Sequence, residues 1–159
     1  METTYYKEFS KALGREMEWK VYGHSGQPVL FIPCQDGRFF DFENFKMTDV
    51  WAPWIDSGEA MIISIDTLDQ ETWSNTSGDP RWRIERYEAW IRYITDEMVP
   101  FIHALYKEKN KGAECSGISV FGCSLGATHA ANLFLRRPDL FNGMLALSGI
   151  YTAEYGWGS

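Results

Sequence analysis

One pentapeptide in the sequence has the residue types and the spacing that nucleophilic catalysis requires. Residues 122–126, with the sequence GCSLG, fit the pattern Gly-x-Ser-x-Gly and lie between an apolar run and a helical pattern. The two glycines let the chain turn sharply from strand to helix, so that the hydroxyl of Ser124 projects above the sheet. We therefore expect Ser124 to accept an acyl group. The alternative is that Ser124 only caps the helix, because serine is a preferred N-cap.

A serine nucleophile needs a histidine that takes its proton and a carboxylate that orients this histidine. His129 is the only histidine after Ser124. It lies five positions further along the same helical pattern and points about 140° away from the serine, at about 100° per residue. We expect His129 not to be the base, and we expect His24 and His103 to be surface or packing residues.

The elements that must position Ser124 alternate between strands and helices. Alternating polarity over Arg15–Tyr22 predicts a half-buried strand. Apolar runs predict further strands at Val29–Ile32, Met61–Ile65, Ile118–Phe121 and Met144–Leu147. Helices are predicted through Val50, Trp51 and Trp54, from Pro80 with Asp79 as N-cap to about Lys107 with a kink or division at Pro100, and over Ser124–Arg136. This order predicts a single α/β domain over residues 1–159, a three-layer α/β/α sandwich with a mostly parallel sheet.

Composition argues against several classes of function. The net charge of −7 and the pI near 4.9 disfavour nucleic-acid binding, which needs clustered cations. Met1–Ser10 is polar, and no run approaches the roughly 20 apolar residues of a membrane span. The three cysteines match neither a disulfide framework nor a zinc site. We expect a cytoplasmic protein with reduced thiols and without a membrane segment or a metal.

Two stretches of the chain resemble a known family. Residues 121–151 read FGCSLGATHAANLFLRRPDLFNGMLALSGIY, and residues 29–45 read VLFIPCQDGRFFDFENF. Together with the loop around Trp73 they resemble the putative-esterase family that includes esterase D (S-formylglutathione hydrolase), over Gly14–Tyr151. The resemblance implies an α/β-hydrolase fold that hydrolyses a small acyl ester or thioester without metal or organic cofactor.

The resemblance also implies roles for residues near the serine. In such enzymes an oxyanion hole is formed by the amide after the serine and by an amide in the loop after the third strand. These correspond to Leu125 and to an amide within 34–37, where we favour Gln35 over Gly37. The substrate-binding wall is expected to contain Arg38, Phe39, Phe40 and Trp73.

Complete members of the family continue with two further strands, which carry the acid and the histidine, and 151–159 stops short of them. Within this chain we expect Asp66 to fix a loop and Glu154 to be an exposed tail residue, so that the fold lacks its last strands and another chain or segment supplies the base. Met144–Leu147 would keep an unpaired apolar edge, which proteins normally cover. We expect a homo-oligomer, or pairing through this edge.

Two further interpretations stay open at this stage. Because the chain contains no suitable base, it could be a catalytically inert module with this fold that serves oligomerisation or ligand binding. Alternatively, the acyl group could pass to an alcohol rather than to water, as in the related mycolyltransferases. The sequence does not separate hydrolysis from transfer.

Overall fold

The protein is built around a six-stranded sheet. A computed structural model describes residues 1–152. The strands are β1 (Thr3–Ser10), β2 (Arg15–Tyr22), β3 (Gln27–Ile32), β4 (Ala60–Ile65), β5 (Ile118–Cys123) and β6 (Phe141–Leu147). Their order across the sheet is β1-β2-β4-β3-β5-β6. The last four strands of the chain run parallel to one another, whereas β1 and β2 are antiparallel to their neighbours. The predicted mostly parallel sheet is confirmed.

Helices cover both faces of the sheet. They are α1 (Asp41–Asn44), α2 (Met47–Asp56), α3 (Pro80–Arg92), α4 (Val99–Lys109) and α5 (Leu125–Arg136). Because successive side chains of a strand point to opposite faces, Leu30 and Ile32 pack under α3, α4 and α5 while Val29 and Phe31 pack under α1 and α2. The three-layer α/β/α arrangement follows.

The long helical segment begins and divides where the sequence predicts. Asp79 is the N-cap of α3, and its carboxylate accepts a hydrogen bond from the Trp82 amide at 2.9 Å. A π-helical turn, Tyr93–Met98, joins α3 to α4, and Pro100 lies in the first turn of α4. Proline has no N–H to offer the carbonyl of Asp96, and the wider turn before it accommodates this loss.

Among the strands of the described residues, β1 is the one that the sequence pattern does not predict. It pairs with β2 over its whole length, and its Tyr5 and Phe9 side chains are 50% and 64% exposed. These two apolar side chains on the solvent side interrupt the alternation of polar and apolar residues on which strand prediction depends.

At the other side of the sheet, β6 is the last strand within residues 1–152. Its Met144, Leu145 and Leu147 side chains are 43–45% exposed, so both faces of the strand are open. A cavity of about 620 Å³ adjoins it and is lined by side chains that include Trp51, Trp54 and Phe121. The predicted apolar edge is therefore present in the described part of the chain.

Two features are absent from the part of the chain that the structure describes. None of the helices within residues 1–152 is both long and apolar enough to cross a membrane. The same part of the chain contains no group of three or more histidine, cysteine, aspartate or glutamate side chains placed to hold a metal ion.

Candidate active site

Ser124 occupies a sharp turn between β5 and α5. Its backbone has φ 55° and ψ −125°, a conformation that non-glycine residues rarely adopt. The Ser124 amide donates to the carbonyl of Leu147 at 2.8 Å, and the Ser124 carbonyl accepts from the Ala127 amide at 3.0 Å. These bonds hold the turn between the end of β6 and the first turn of α5. The residue itself is exposed.

The glycines on either side of Ser124 are required by close contacts. A Cβ on Gly122 would lie 2.2 Å from the carbonyl oxygen of Gly126, and a Cβ on Gly126 would lie 2.3 Å from that of Pro33. Real Cβ atoms do not approach so closely, so both positions need glycine. The second contact also brings the start of α5 against the loop that follows β3.

The hydroxyl of Ser124 does not cap the helix. A capping serine has an extended backbone, and its oxygen accepts from the second or third amide of the helix. Ser124 has a positive φ instead, and within the described residues its side chain makes no capping hydrogen bond. The exposed hydroxyl is therefore available to a ligand.

Two amides of the loop after β3 are engaged in hydrogen bonds. The Gly37 amide donates to the Cys34 carbonyl at 2.9 Å, and the Asp36 amide donates to Asp69 Oδ2 at 3.1 Å. Within residues 1–152 the Gln35 amide has no protein acceptor. Its side chain is anchored, because Gln35 Nε2 donates to Ser74 Oγ at 2.7 Å and Ser74 Oγ donates to Asp36 Oδ1 at 2.8 Å.

Asp66 fixes the far end of the same loop, as its position at the end of β4 predicts. Its Oδ1 accepts from the Phe39 amide at 2.8 Å and from Arg38 Nε at 2.9 Å. Burial raises the pKa of Asp66 above its ordinary value, and the hydrogen bonds from Arg38 and Phe39 oppose this rise. Arg38 also pairs with Glu18 of β2 at 3.3 Å.

The structure does not gather the four expected wall residues into one pocket. Arg38 is ion-paired, and its guanidinium lies over the rings of Phe39 and Phe40. Phe39 is buried, with its ring centroid 5.7 Å from that of Tyr5 on β1. These three residues therefore belong to the β1 and β2 side of the loop, and Phe39 supports the loop rather than lining an open surface.

Trp73 lies on the other side of the loop. It lines a cavity of about 430 Å³ together with Tyr87, Thr128 and Tyr151. Thr128 Oγ1 ties α5 to the segment after β6, since it donates to the Ile150 carbonyl at 2.7 Å and accepts from the Ile150 amide at 2.9 Å. Of the four expected wall residues, Trp73 is the one beside the helix that carries Ser124 at its start.

The described histidines are engaged elsewhere. His129 Nε2 lies 2.9 Å from Asp69 Oδ1, its Nδ1 lies 3.3 Å from the Tyr87 hydroxyl, and its side chain is 1% exposed. His24 is exposed in the turn before β3, and His103 lies on α4. No histidine within residues 1–152 contacts Ser124, and Glu154 lies outside the described residues.

Sequence reasoning missed the polar groups that hold the Gln35 loop. Asp69 and Ser74 lie in a loop whose composition resembles any polar connection, and no local signal marks them. Tyr87 lies within the helix predicted from Pro80, and no local signal marks it as a hydrogen-bonding residue. A signal was available for His129. It lies among small residues of the helix that follows Ser124, which let this helix pack closely on the sheet, and a histidine buried there needs polar partners.

The chain is similar to a known family and to several solved structures. A family model described as "Putative esterase" matches residues 10–159. No protein of curated function matches the chain. Similar solved structures include a ferulic acid esterase, with 19% identity, TM-score 0.69, and coverage of 93% of this chain and 60% of that one. An S-formylglutathione hydrolase from Agrobacterium tumefaciens has 17% identity and TM-score 0.71, covering 96% and 59%.

A third structure, a ferulic acid esterase from Anaeromyces mucronatus, has 14% identity and TM-score 0.69, with coverage of 99% of this chain and 63% of that one. At these identities the likeness concerns the fold. The chain spans about 60% of the length of these solved structures, as the 60%, 59% and 63% coverages show.

Proposed function

This chain belongs to the putative-esterase family, and from that membership we propose that it is a serine hydrolase of carboxylic esters or thioesters with Ser124 as the nucleophile. One observation carries the proposal above all others. Ser124 has an exposed side chain on a backbone at φ 55°, and this rarely adopted conformation serves no helix cap. Strain of this kind is typical of functional positions.

The amides of Leu125 and Gln35 would stabilise the oxyanion. Attack by Ser124 Oγ on an acyl carbonyl forms a tetrahedral centre whose oxygen becomes negative. Leu125 is the first residue of α5, so its amide has no acceptor within the helix, and the helix dipole favours negative charge at this end. Gln35 is preferred over Gly37 because the Gly37 amide is already bonded to Cys34.

The base and the acid are assigned to a segment outside residues 1–152 or to another chain. A proton must leave Ser124 Oγ during attack and return to the leaving group, and His129 has both ring nitrogens engaged. The open faces of β6 provide a surface on which such a segment, or a second copy of the chain, could pack. No step of this reaction requires a metal or an organic cofactor.

The substrate class is a small acyl ester or thioester. The comparison structures are named as ferulic acid esterases and an S-formylglutathione hydrolase. The cavity beside α5, with Trp73 in its wall, supplies an aromatic surface for the acyl group. The three free cysteines suit a reducing, cytoplasmic compartment.

The test is covalent labelling of the chain with a fluorophosphonate, with turnover of a p-nitrophenyl ester of a short acid measured in parallel. Mass spectrometry should find the label on Ser124, and Ser124→Ala should lose both labelling and turnover. Ser57→Ala, an exposed serine after α2, is the matched control and should behave as the unaltered chain does.

A second candidate function is an inert module with this fold that serves oligomerisation or ligand binding. Two observations favour it: no histidine within residues 1–152 reaches Ser124, and β6 carries exposed apolar side chains. Absence of both labelling and turnover in the unaltered chain would support this second function and contradict the first. Product analysis with an added alcohol would separate hydrolysis from acyl transfer.

A further inference from the structure

A continuous chain of hydrogen bonds links the middle of α5 to the loop that carries Gln35. Asn132 Nδ2 donates to the Tyr87 hydroxyl at 2.8 Å, and that hydroxyl lies 3.3 Å from His129 Nδ1. His129 Nε2 lies 2.9 Å from Asp69 Oδ1, and Asp69 Oδ2 accepts from the Asp36 amide at 3.1 Å. Helices α3 and α5 and the loop after β4 are thus connected to one peptide group of the loop after β3.

The directions of these bonds assign the proton of the imidazole. The Tyr87 hydroxyl accepts from Asn132 Nδ2, and its oxygen lies 3.3 Å from His129 Nδ1. An ionised Asp69 can only accept, so the ring proton in its contact with His129 is on Nε2 and is donated to Asp69 Oδ1. Asp69 as a carboxylate accepts on both oxygens, one bond from the ring and one from the Asp36 amide.

The pair is deeply buried in an aromatic setting. The His129 and Asp69 side chains are each 1% exposed. The ring centroid of His129 lies 4.9 Å from that of Trp90, 5.5 Å from Tyr87 and 6.0 Å from Trp73. A polar pair in such surroundings is costly relative to apolar side chains of the same volume, so packing alone does not account for it.

The loop itself needs an external constraint. Asp36 has φ 60°, a left-handed conformation that costs a non-glycine residue free energy unless its surroundings impose it. The bond to Asp69 Oδ2 restrains the peptide between Gln35 and Asp36, and the ring of His129 restrains Asp69 in turn. The Gln35 amide belongs to the preceding peptide, and restraint of the Gln35–Asp36 peptide limits the directions in which that amide can point.

We propose that Asp69 and His129 are positioning residues that hold the Gln35 amide in place as an oxyanion donor for the reaction at Ser124. The inference rests on the proposed function, because the oxyanion forms only if Ser124 attacks an acyl carbonyl. Neither residue touches the reacting atoms. Their contribution is to order the loop before the substrate binds.

Amide hydrogen exchange of the full chain, followed by NMR, tests the loop directly. Asp69→Ala should accelerate exchange at Asp36 by roughly tenfold or more, because a charge-assisted bond is lost, while amides of β5 keep their protection. Asp69→Asn should keep much of this protection, since its carbonyl can take the place of Oδ2 while its NH2 group donates to His129 Nε2 and the ring proton moves to Nδ1. Unchanged exchange at Asp36 in Asp69→Ala would overturn the proposal.

A measurement on the unaltered chain covers the case in which Asp69→Ala does not fold. Long-range ¹H–¹⁵N correlation spectra of His129 should show the proton on Nε2 and an unprotonated Nδ1. A proton on Nδ1 with a bare Nε2 would mean that the ring does not donate to Asp69, and the proposal would fall.

The rate of fluorophosphonate labelling connects the loop to the chemistry. Asp69→Ala should slow labelling of Ser124 by roughly 10-fold to 100-fold, and Asp69→Asn should restore most of the rate. Faster exchange at Asp36 with an unchanged labelling rate would contradict the oxyanion role. If the unaltered chain is not labelled at all, the proposed function fails, whereas exchange at Asp36 still decides whether this pair holds the loop.

Discussion

The α-carbon of Gly126 lies so near the loop after β3 that a Cβ on it would stand 2.3 Å from the carbonyl oxygen of Pro33. Glycine within a helix ordinarily costs about 1 kcal/mol relative to alanine. At position 126 we expect the reverse, with Gly126→Ala lowering the free energy of unfolding by roughly 1–3 kcal/mol. Urea unfolding measures this free-energy change. Ala104→Gly on the exposed side of α4 gives the ordinary cost of glycine within a helix for comparison. A stabilised Gly126→Ala would contradict the close contact.

The N-cap of α3 should contribute measurably to stability. Asp79 accepts from the Trp82 amide at 2.9 Å, so Asp79→Ala should lower the free energy of unfolding by about 1 kcal/mol. Asp79→Ser keeps an oxygen in reach of the same amide and should lose only a few tenths of this. Equal losses in the two variants would mean that the carboxylate acts through its charge rather than through the cap.

The exposed apolar edge should drive association at high concentration. Leu145 on β6 is 45% exposed, and a lysine at an edge strand blocks further pairing. Sedimentation velocity over a concentration series should show less association for Leu145→Lys than for the unaltered chain. Phe9→Lys on the opposite edge strand is the matched control, and an equal effect of both variants would remove β6 as the site.

Tyr87 should make stability depend on alkaline pH. Burial raises the pKa of Tyr87 to about 12, from an ordinary value of 10.0. The unfolded chain therefore loses this proton first, and the contribution of Tyr87 is complete below pH 10.0 and declines as the pH rises toward about 12. Urea unfolding of the unaltered chain and of Tyr87→Phe across this pH range isolates the contribution of the Tyr87 hydroxyl to the free energy of unfolding. A difference between the two proteins that stays constant across this range would contradict the burial of the hydroxyl.

The strands from β2 onward could be predicted along the chain because their signals are local. Strand β2 shows strict alternation and was predicted at its observed bounds, Arg15–Tyr22. The adjacent residues Asp79 and Pro80 predict the start of α3. Strand β1 has no comparable signal, because its exposed Tyr5 and Phe9 are as apolar as the side chains that a buried face would carry.

In the candidate site, too, residues with a local sequence signal could be predicted and residues that meet only in the folded chain could not. Ser124 and Leu125 are identified by a five-residue motif in a strand-turn-helix context. Asp69 and His129 are 60 residues apart in the sequence, and their contact exists only after β4 and α5 have packed on the sheet. The placement of Phe39 against Tyr5 likewise depends on β1, which the sequence analysis lacked.

The positive φ of Ser124 has a practical consequence for engineering this chain. Glycine adopts such a backbone at little cost, so Ser124→Gly would relieve the turn and raise thermal tolerance. Directed evolution that selects only for heat resistance would therefore be drawn to the one codon on which the proposed chemistry depends. Residue 124 has to be held constant in any such library.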